Sequence, residues 1–204
     1  MPEVARPRRI GVFGGAFDPP HLAHQALLQS AMAELALDEL RVIPTGQAWH
    51  KTRTLTAPEH RLAMAQLAFS ALPNVLVDAQ EIKRIGPSYT IDTLRGLVQA
   101  EPPAELFLIM GADQAFALTT WQAWQDILQL AIICVADRTD STRASTLFDA
   151  EKLFPARFFH LKMPALTISA TQIRAKISAR QPVDTLVLDA VARYIAEHHL
   201  YQSI

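Results

Sequence analysis

The sequence predicts an α/β protein built on a parallel sheet. Short apolar segments alternate with stretches of helical periodicity along almost the whole chain, which is typical of strand–helix–strand units. The inner apolar segments, 106–110 and 131–135, are continuously hydrophobic, as expected of strands buried on both faces. A glycine pair ends the first strand, and such folds bind ligands beyond the carboxyl ends of their strands. We therefore expect a Rossmann-like, doubly wound sheet with helices on both faces.

The first half of the chain is predicted to hold strands at 9–13, 40–43 and 75–77. Helical spacing of apolar residues begins after residue 22 and continues through Leu27, Leu28, Ala31 and Leu35. A second helix is expected to start at a capping box, Thr56-Ala-Pro58-Glu59, and to bury a face formed by Leu62, Ala65 and Phe69. The segments 46–55 and 83–88 lack periodicity and are expected to be loops.

The second half continues the alternation. Helices are predicted at about 89–99, after residue 113 and up to about 129, and strands at 106–110, 131–135 and 157–161. The polar segment 137–144 is expected to be a loop. Ser169-Ala-Thr171-Gln172 forms a second capping box, and the final helix shows a core stripe of Val187, Ala190, Val191, Tyr194 and Ile195. We expect one domain over residues 1–204, with a small helical C-terminal part at about 169–204.

Composition excludes several classes of partner. With 19 Lys and Arg against 20 Asp and Glu, the net charge of −1 gives no global attraction to nucleic acid or to an anionic membrane. No apolar run approaches the roughly 18 residues of a membrane span, and residues 1–9 lack the apolar core of a signal peptide. Cys134 lies in an apolar run and is expected to be a small core residue. We expect a cytoplasmic protein, and its oligomeric state, a homo-oligomer included, stays open.

The segment from Ile10 to His24 is suited to binding phosphate. Its strand, glycine turn and helix start would present main-chain N–H groups and the positive end of a helix dipole. His21 and His24 are three residues apart, so they point the same way and can donate to phosphate oxygens. The segment matches neither a P-loop nor a dinucleotide-binding fingerprint. The histidine pair also lacks a third ligand, so no metal site on the protein is expected.

Two motifs about 145 residues apart resemble a known superfamily. Gly14-Gly15-Ala-Phe17-Asp18-Pro19-Pro-His21-Leu-Ala-His24 is similar to the first signature of nucleotidyltransferases of the adenylyltransferase superfamily. Ile168-Ser169-Ala-Thr171-Gln-Ile-Arg174 is similar to the second, Ile-Ser-x-Thr-x-Ile-Arg. Segments between them narrow the resemblance to bacterial nicotinate-nucleotide adenylyltransferases: His50-Lys51, Pro87-Ser88-Tyr89-Thr90, Gly111-Ala-Asp113 and Thr120-Trp121. Ala23 departs from the glycine usual there, and the 137–140 segment is less basic than in the family.

The resemblance implies a reaction in which the 5′-phosphate of nicotinate mononucleotide attacks the α-phosphorus of ATP, with Mg²⁺ assisting. Deamido-NAD and pyrophosphate are the products. His21, His24 and Arg174 are the expected catalytic groups. ATP is expected to contact Gly14, Gly15, Phe17, His21, His24, Gly111, Asp113, Arg138, Ser169, Thr171 and Arg174. The mononucleotide is expected to contact Gly15, Ala16, His50, Lys51, Tyr89, Thr90 and Trp121.

Individual roles follow from the chemistry of these groups. Arg174 can grip the β- and γ-phosphates bidentately, and Trp121 offers an aromatic face to the nicotinate ring. Thr90 and the Tyr89 main chain suit the pyridine carboxylate, because a helix start favours an anion. Two alternatives stay open from the sequence. The same fold could serve another acceptor, such as nicotinamide mononucleotide, phosphopantetheine or a sugar phosphate, or it could be a non-catalytic nucleotide-binding regulator, for which Ala23 is the best support.

Overall fold

A computed structural model describes residues 6–47, 54–137, 148–163 and 166–202 of the chain. Within these ranges six parallel strands form one sheet in the order β3-β2-β1-β4-β5-β6. The strands are β1 (Arg8–Gly15), β2 (Glu39–Pro44), β3 (Val75–Val77), β4 (Ala104–Gly111), β5 (Ala131–Asp137) and β6 (Phe158–Lys162). All six predicted strands are confirmed, and so is the Rossmann-like sheet.

The strand order reverses direction between β1 and β4, which are paired side by side. Val12 lies opposite Leu108, and Phe13 lies opposite Ile109. Consecutive strands run outward from β1 on one side and from β4 on the other. The crevice beyond the carboxyl ends of these two strands is therefore the topological switch point, where doubly wound sheets bind ligands. Gly15 and Gly111 end the two strands there.

Helices join the strands and cover both faces of the sheet. In the described ranges they are α1 (Leu22–Glu34), α2 (Pro58–Phe69), α3 (Gln80–Lys83), α4 (Thr90–Ala100), α5 (Ala112–Ala117), α6 (Trp124–Leu130), α7 (Asp149–Leu153), α8 (Ala170–Ser178) and α9 (Asp189–Glu197). Single 3-10 turns lie at Leu118–Thr120 and Pro155–Arg157. No helix in these parts of the chain is long and apolar enough to span a bilayer.

Alternate residues of the central strands enter two different cores. Phe13 packs in a cluster with residues of α1, α2, α8 and α9, among them Leu28, Ile173 and Val191. Val12, one position earlier, packs in a second cluster with residues of α4 and α6. The period-two alternation of a strand explains this division, because neighbouring side chains point to opposite faces. The C-terminal helices thus share a core with β1.

The predicted capping box at Thr56 is wrong. The helix α2 begins at Pro58, Ala57 occupies the N-cap position, and no side chain caps it. The Thr56 main chain is engaged elsewhere, since its N–H donates to the Asp18 carboxylate and its carbonyl accepts from Arg61. At Ser169 the N-cap of the predicted box is confirmed, because that side chain accepts a hydrogen bond from the Gln172 N–H at 3.2 Å.

The predicted buried face of α2 is displaced by about one residue. Leu62 is partly exposed, whereas Arg61 and Met64 are buried with Ala65 and Phe69. Arg61 is therefore buried where the apolar pattern predicted that Leu62 would be. The short helices α3 and α7 were not predicted, and β5 runs two residues beyond its predicted end.

Candidate active site

The turn after β1 lies at the switch point and approaches the neighbouring strands closely. The Thr45 N–H, just after β2, donates to the Gly15 carbonyl at 2.9 Å. A Cβ on Gly15 would lie 3.0 Å from the Phe17 ring, a close contact that the ring would have to relieve by shifting, so glycine is favoured at this position. At Gly14, in contrast, a Cβ would have nothing within 4 Å. The space beside Gly14, which is exposed, is therefore open.

Phe17 anchors the turn in the core. Its φ is 47°, in the left-handed region that residues other than glycine rarely adopt. Its ring is 2% exposed and packs edge-on against Phe13, His24 and Phe69 at 5.4–5.6 Å between ring centres. These contacts hold the strained backbone in place. Any contact of Phe17 with a nucleotide would have to come from its main chain.

The two histidines form a stacked pair at the start of α1. Their ring centres are 3.7 Å apart and the ring planes are 19° from parallel. His21 is the N-cap residue, and its main-chain N–H donates to Nδ1 of His24 at 3.2 Å. A ring nitrogen that accepts carries no proton, so His24 is the neutral tautomer with its proton on Nε2. Burial, and then the charge of His21, lower the pKa of His24 well below its usual value.

Arg174 joins the two motifs directly. Its Nη1 donates to the Asp18 carbonyl at 2.7 Å, across 156 residues of sequence. Its Nη2 donates to the Thr171 hydroxyl at 3.1 Å. Ser169 and Thr171 are exposed at the start of α8. The second motif therefore brings a guanidinium and two hydroxyls beside the turn that carries the histidine pair, in an arrangement suited to a polyphosphate.

The Asp18 carboxylate, 2% exposed, is fixed from two directions. The Tyr201 hydroxyl donates to Oδ1 at 2.7 Å, and the Thr56 N–H donates to Oδ2 at 3.3 Å. The peptide bond between Asp18 and Pro19 is cis. Asp18 thus ties the turn to the entrance of α2 and to the C-terminal end of the chain.

The predicted acceptor residues begin at a loop paired with the end of β2. Ser88 exchanges hydrogen bonds with Gln47: its N–H donates to the Gln47 carbonyl at 3.0 Å, and its hydroxyl accepts from the Gln47 N–H at 3.2 Å. Tyr89 is the N-cap of α4 and Thr90 is its first residue, both partly exposed. The helix start expected to receive a carboxylate is therefore present, with its position fixed through Ser88.

The buried Glu81 carboxylate holds the Ser88 loop in place. Its carboxylate, 6% exposed, accepts from the Thr93 hydroxyl at 2.7 Å and also from Ser88 and the Gly46 N–H. Burial raises the pKa of Glu81, and these hydrogen bonds oppose the rise. A Cβ at Gly46 would lie 2.1 Å from the Glu81 carbonyl oxygen, so the two backbones touch. The loops that follow β2 and α3 are consequently locked together.

The remaining predicted residues occupy different places. Gly111 ends β4 and is the N-cap of α5, with Asp113 exposed in the first turn of that helix. Trp121 is partly buried against the core cluster on the α4 side of the sheet. His50, Lys51 and Arg138 lie outside the described residues, and their predicted roles stay predictions.

Two residues at this site were missed from the sequence, Arg61 and Tyr201. Arg61 is 1% exposed and donates to main-chain carbonyls around the turn. Its position among the buried residues of an amphipathic helix is a signal that could have been noticed, because an arginine on a buried face needs partners. Tyr201 carries no such local signal.

Comparisons with known proteins identify the family of the chain. A family model described as cytidylyltransferase-like matches residues 12–176. A protein of Albidiferax ferrireducens named probable nicotinate-nucleotide adenylyltransferase is 63% identical, over 96% of this chain and 99% of that protein. A protein of the same name from Methylibium petroleiphilum is 43% identical, over 95% of this chain and 92% of its own length.

Solved structures show the same fold. A Plasmodium falciparum nicotinic acid mononucleotide adenylyltransferase complexed with NaAD aligns with a TM-score of 0.74. The alignment covers 95% of this chain and 97% of that one at 17% sequence identity. The same enzyme complexed with APC aligns with a TM-score of 0.73. At such low identity this likeness establishes the architecture, whereas the full-length relatives establish the family.

Proposed function

The chain belongs to the cytidylyltransferase-like family and, within it, to the nicotinate-nucleotide adenylyltransferases, and from this premise we propose how it works. It transfers AMP from ATP to nicotinate mononucleotide and forms deamido-NAD and pyrophosphate. The observation that carries the assignment of roles is the contact between the two motifs. Arg174 donates to the Asp18 carbonyl, so the second motif lies against the turn that leads to His21 and His24.

The nucleotide lies across the switch point with its phosphates on the glycine turn. The main chain of Gly14 and Gly15 and the start of α1 bind the phosphates. The histidine pair faces the α- and β-phosphates. His24 donates from Nε2, because its Nδ1 already accepts from the His21 main chain. Arg174 with Ser169 and Thr171 binds the β- and γ-phosphates, while Gly111 and Asp113 contact the nucleoside, Asp113 at a ribose hydroxyl.

The acceptor binds between α4 and the segment that follows β2 (the β2 loop, from Thr45 onward). The Tyr89 main chain and Thr90 receive its carboxylate at the helix start, and Trp121 stacks on its ring. Gly15, Ala16, His50 and Lys51 bind its phosphate. A phosphate oxygen of the acceptor then forms a bond to the α-phosphorus as the bond to the β-phosphate bridging oxygen breaks. The attacking oxygen is already anionic, so the residues position and neutralise charge rather than abstract a proton.

Magnesium fits this site as a companion of ATP. Mg²⁺ is commonly bound through substrate phosphates and water with only one or two carboxylates. Among the residues that the structure describes, no group of three or more His, Cys, Asp or Glu side chains is gathered as a metal site. Phosphate oxygens and water would therefore supply most of its ligands, and when bound the ion neutralises charge on the phosphates.

Arg138 is proposed as a further contact to ATP.

The decisive experiment measures pyrophosphate release from Mg-ATP with nicotinate mononucleotide. We expect much faster turnover than with the amide mononucleotide, and no turnover with phosphopantetheine or a sugar phosphate. Purified protein that turns over neither mononucleotide would overturn the proposal. Tight ATP binding by calorimetry without pyrophosphate release would instead support the regulator alternative. His21→Ala should lower kcat about 10²–10³-fold, as loss of a transition-state donor does.

His21 is 6% exposed and stacked on His24, so its truncation also removes packing. The matched control is His198→Ala, which truncates an exposed histidine at the end of α9. Thermal melting of both variants separates a loss of turnover from a loss of folded protein. If His21→Ala keeps wild-type kcat while folded, His21 has no role in phosphate chemistry.

Three further assignments belong to the same proposal. We infer one nucleotidyltransferase domain over residues 1–204, since α8 and α9 contribute Ile173 and Val191 to the core that also holds Phe13 of β1. We place the protein in the cytoplasm, where its substrate ATP is available. Size-exclusion chromatography with light scattering would decide between a monomer and a homo-oligomer.

A further inference from the structure

Arg61 lies completely inside the protein, 1% exposed, on the face of α2 that meets the sheet. A buried guanidinium is stable only when hydrogen-bond acceptors surround it. Its Nε and both of its Nη atoms donate to main-chain carbonyls. We call the guanidinium and its carbonyl partners in Ala16, Thr45, Gly46 and Thr56 the Arg61 junction.

The junction connects segments that are distant in sequence. The Ala16 carbonyl, at 3.1 Å, belongs to the turn after β1, on which we place the triphosphate. The carbonyls of Thr45 and Gly46, at 2.6 and 3.2 Å, belong to the chain leaving β2. The Thr56 carbonyl, at 2.8 Å, lies where the chain returns to enter α2. One side chain therefore holds the nucleotide turn and both ends of the segment 47–55.

Two further hydrogen bonds join the turn after β1 to the same two threonines. The Thr45 N–H donates to the Gly15 carbonyl at 2.9 Å, and the Thr56 N–H donates to the Asp18 carboxylate at 3.3 Å. Both main-chain groups of Thr45 and of Thr56 are thus hydrogen-bonded. In each residue the carbonyl accepts from Arg61 and the N–H donates to a residue of the turn. The relative position of the turn and the β2 loop depends on a closed ring of contacts.

We propose that Arg61 is a positioning residue that sets the turn after β1 in register with Thr45 and Gly46, where the chain leaves β2 toward the acceptor site, so that the attacking and attacked phosphates meet. This inference rests on the proposed function. Transfer between two bound substrates depends steeply on their relative placement, and a misplacement of about 1 Å can cost on the order of 10²-fold in rate. Most contacts proposed for ATP lie on the turn and α8, whereas the acceptor shares only Gly15 and Ala16 of that turn, so disturbing the junction changes the rate of transfer more than either binding constant.

Lysine cannot replace this arginine. The guanidinium is a planar fork with five N–H groups, whereas an ammonium concentrates three donors at one point. Arg61→Lys therefore retains the charge and loses part of the junction. We expect kcat to fall about 10–100-fold in folded Arg61→Lys while the KM values for ATP and nicotinate mononucleotide each change less than about threefold. The matched control, Arg95→Lys, alters an exposed arginine on α4 that pairs with Asp126, and it should behave as wild type.

A second variant separates positioning from simple stability. Arg61→Ala leaves a guanidinium-sized space, and millimolar guanidinium or methylguanidinium should restore part of the lost kcat. A loss that is only structural would instead recover in step with the folded fraction, which thermal melting at the same guanidinium concentration measures. Hydrogen exchange gives a readout without substrates: the Thr45 and Thr56 amides should exchange faster in Arg61→Lys than in Arg95→Lys.

The outcomes distinguish this inference from the proposed function. Wild-type protein with no adenylyl transfer overturns the function, yet the exchange rates still report whether the junction orders both segments. The positioning role is overturned if folded Arg61→Lys keeps wild-type kcat, if its activity falls only with the folded fraction, or if KM rises at unchanged kcat. It is equally overturned if neither Arg61 variant yields folded protein, since Arg61 would then act on folding alone.

Discussion

Replacing Tyr201 by phenylalanine removes one hydroxyl and tests whether the C-terminal end of the chain holds the turn after β1. That hydroxyl donates to the Asp18 carboxylate at 2.7 Å, and the carboxylate is 2% exposed. A hydrogen bond to a charged group contributes about 1.5–3 kcal/mol, and for a chain of about 200 residues each kcal/mol shifts Tm by roughly 2–4 °C. Tyr201→Phe should therefore lower Tm by roughly 3–12 °C.

The control removes a hydroxyl whose partner is not a carboxylate. The Tyr194 hydroxyl lies 2.9 Å from Nδ1 of His60, in a partly buried position. A neutral hydrogen bond contributes about 0.5–1.5 kcal/mol, so Tyr194→Phe should cost less. Urea unfolding of both variants, with Asp18→Asn and the Tyr201/Asp18 double variant, measures the coupling between hydroxyl and carboxylate. A coupling free energy under about 0.5 kcal/mol, or equal losses in the two tyrosine variants, would refute the reasoning.

Alkaline pH offers an independent test of the same contact. Burial, and then the Asp18 charge, raise the pKa of Tyr201 above its unfolded value of about 10. The unfolded chain therefore releases this proton first as the pH rises. The associated stability is fully present below about pH 10 and is lost above it, by up to about 1.4 kcal/mol per pH unit. Tyr201→Phe should show a shallower alkaline loss than wild type in urea melts from pH 9 to 11.

Three other predictions follow from the same environments. Because the pKa of His24 is lowered on folding, the unfolded chain binds a proton near pH 6.5 that the folded chain does not bind. The free energy of unfolding should therefore fall as the pH falls below about 6.5. His24→Asn should flatten this slope in urea melts from pH 5 to 8, and an unchanged slope would contradict it. Burial raises the pKa of the Cys134 thiol to about 12, so Ellman's reagent should react only at the rate of opening, and immediate labelling would contradict its burial. Ala23→Gly changes the second residue of α1 and should cost up to about 0.5–1 kcal/mol of stability. Its kcat/KM for ATP should change by less than about tenfold. A larger kinetic change would show that the methyl group shapes the phosphate subsite.

Patterns of short range in the sequence were sufficient for the architecture. Continuous apolar runs identified β4 and β5, and helical spacing identified α1 with Leu27, Leu28 and Ala31 buried as predicted. Ser169 was correctly predicted as a cap because its partner lies only three residues away. The capping box at Thr56 failed although its pattern was equally clear. There, the distant Asp18 carboxylate accepts from the Thr56 N–H, which is the main-chain group that a capping box would use, and Arg61 donates to the Thr56 carbonyl.

What the sequence determined by itself was the set of local elements and the two motifs, because strand alternation, helical spacing and glycine turns depend on neighbouring residues. Tertiary structure alone decided which distant groups meet. Tyr201 reaches Asp18 across 183 residues, and Arg61 gathers carbonyls from three separate segments. Main-chain carbonyls look alike in every sequence, so no residue pattern marks those that will accept from a buried arginine. Only packing of α2 and the C-terminal end against the turn determines these contacts, and with them the placement of His21 and His24.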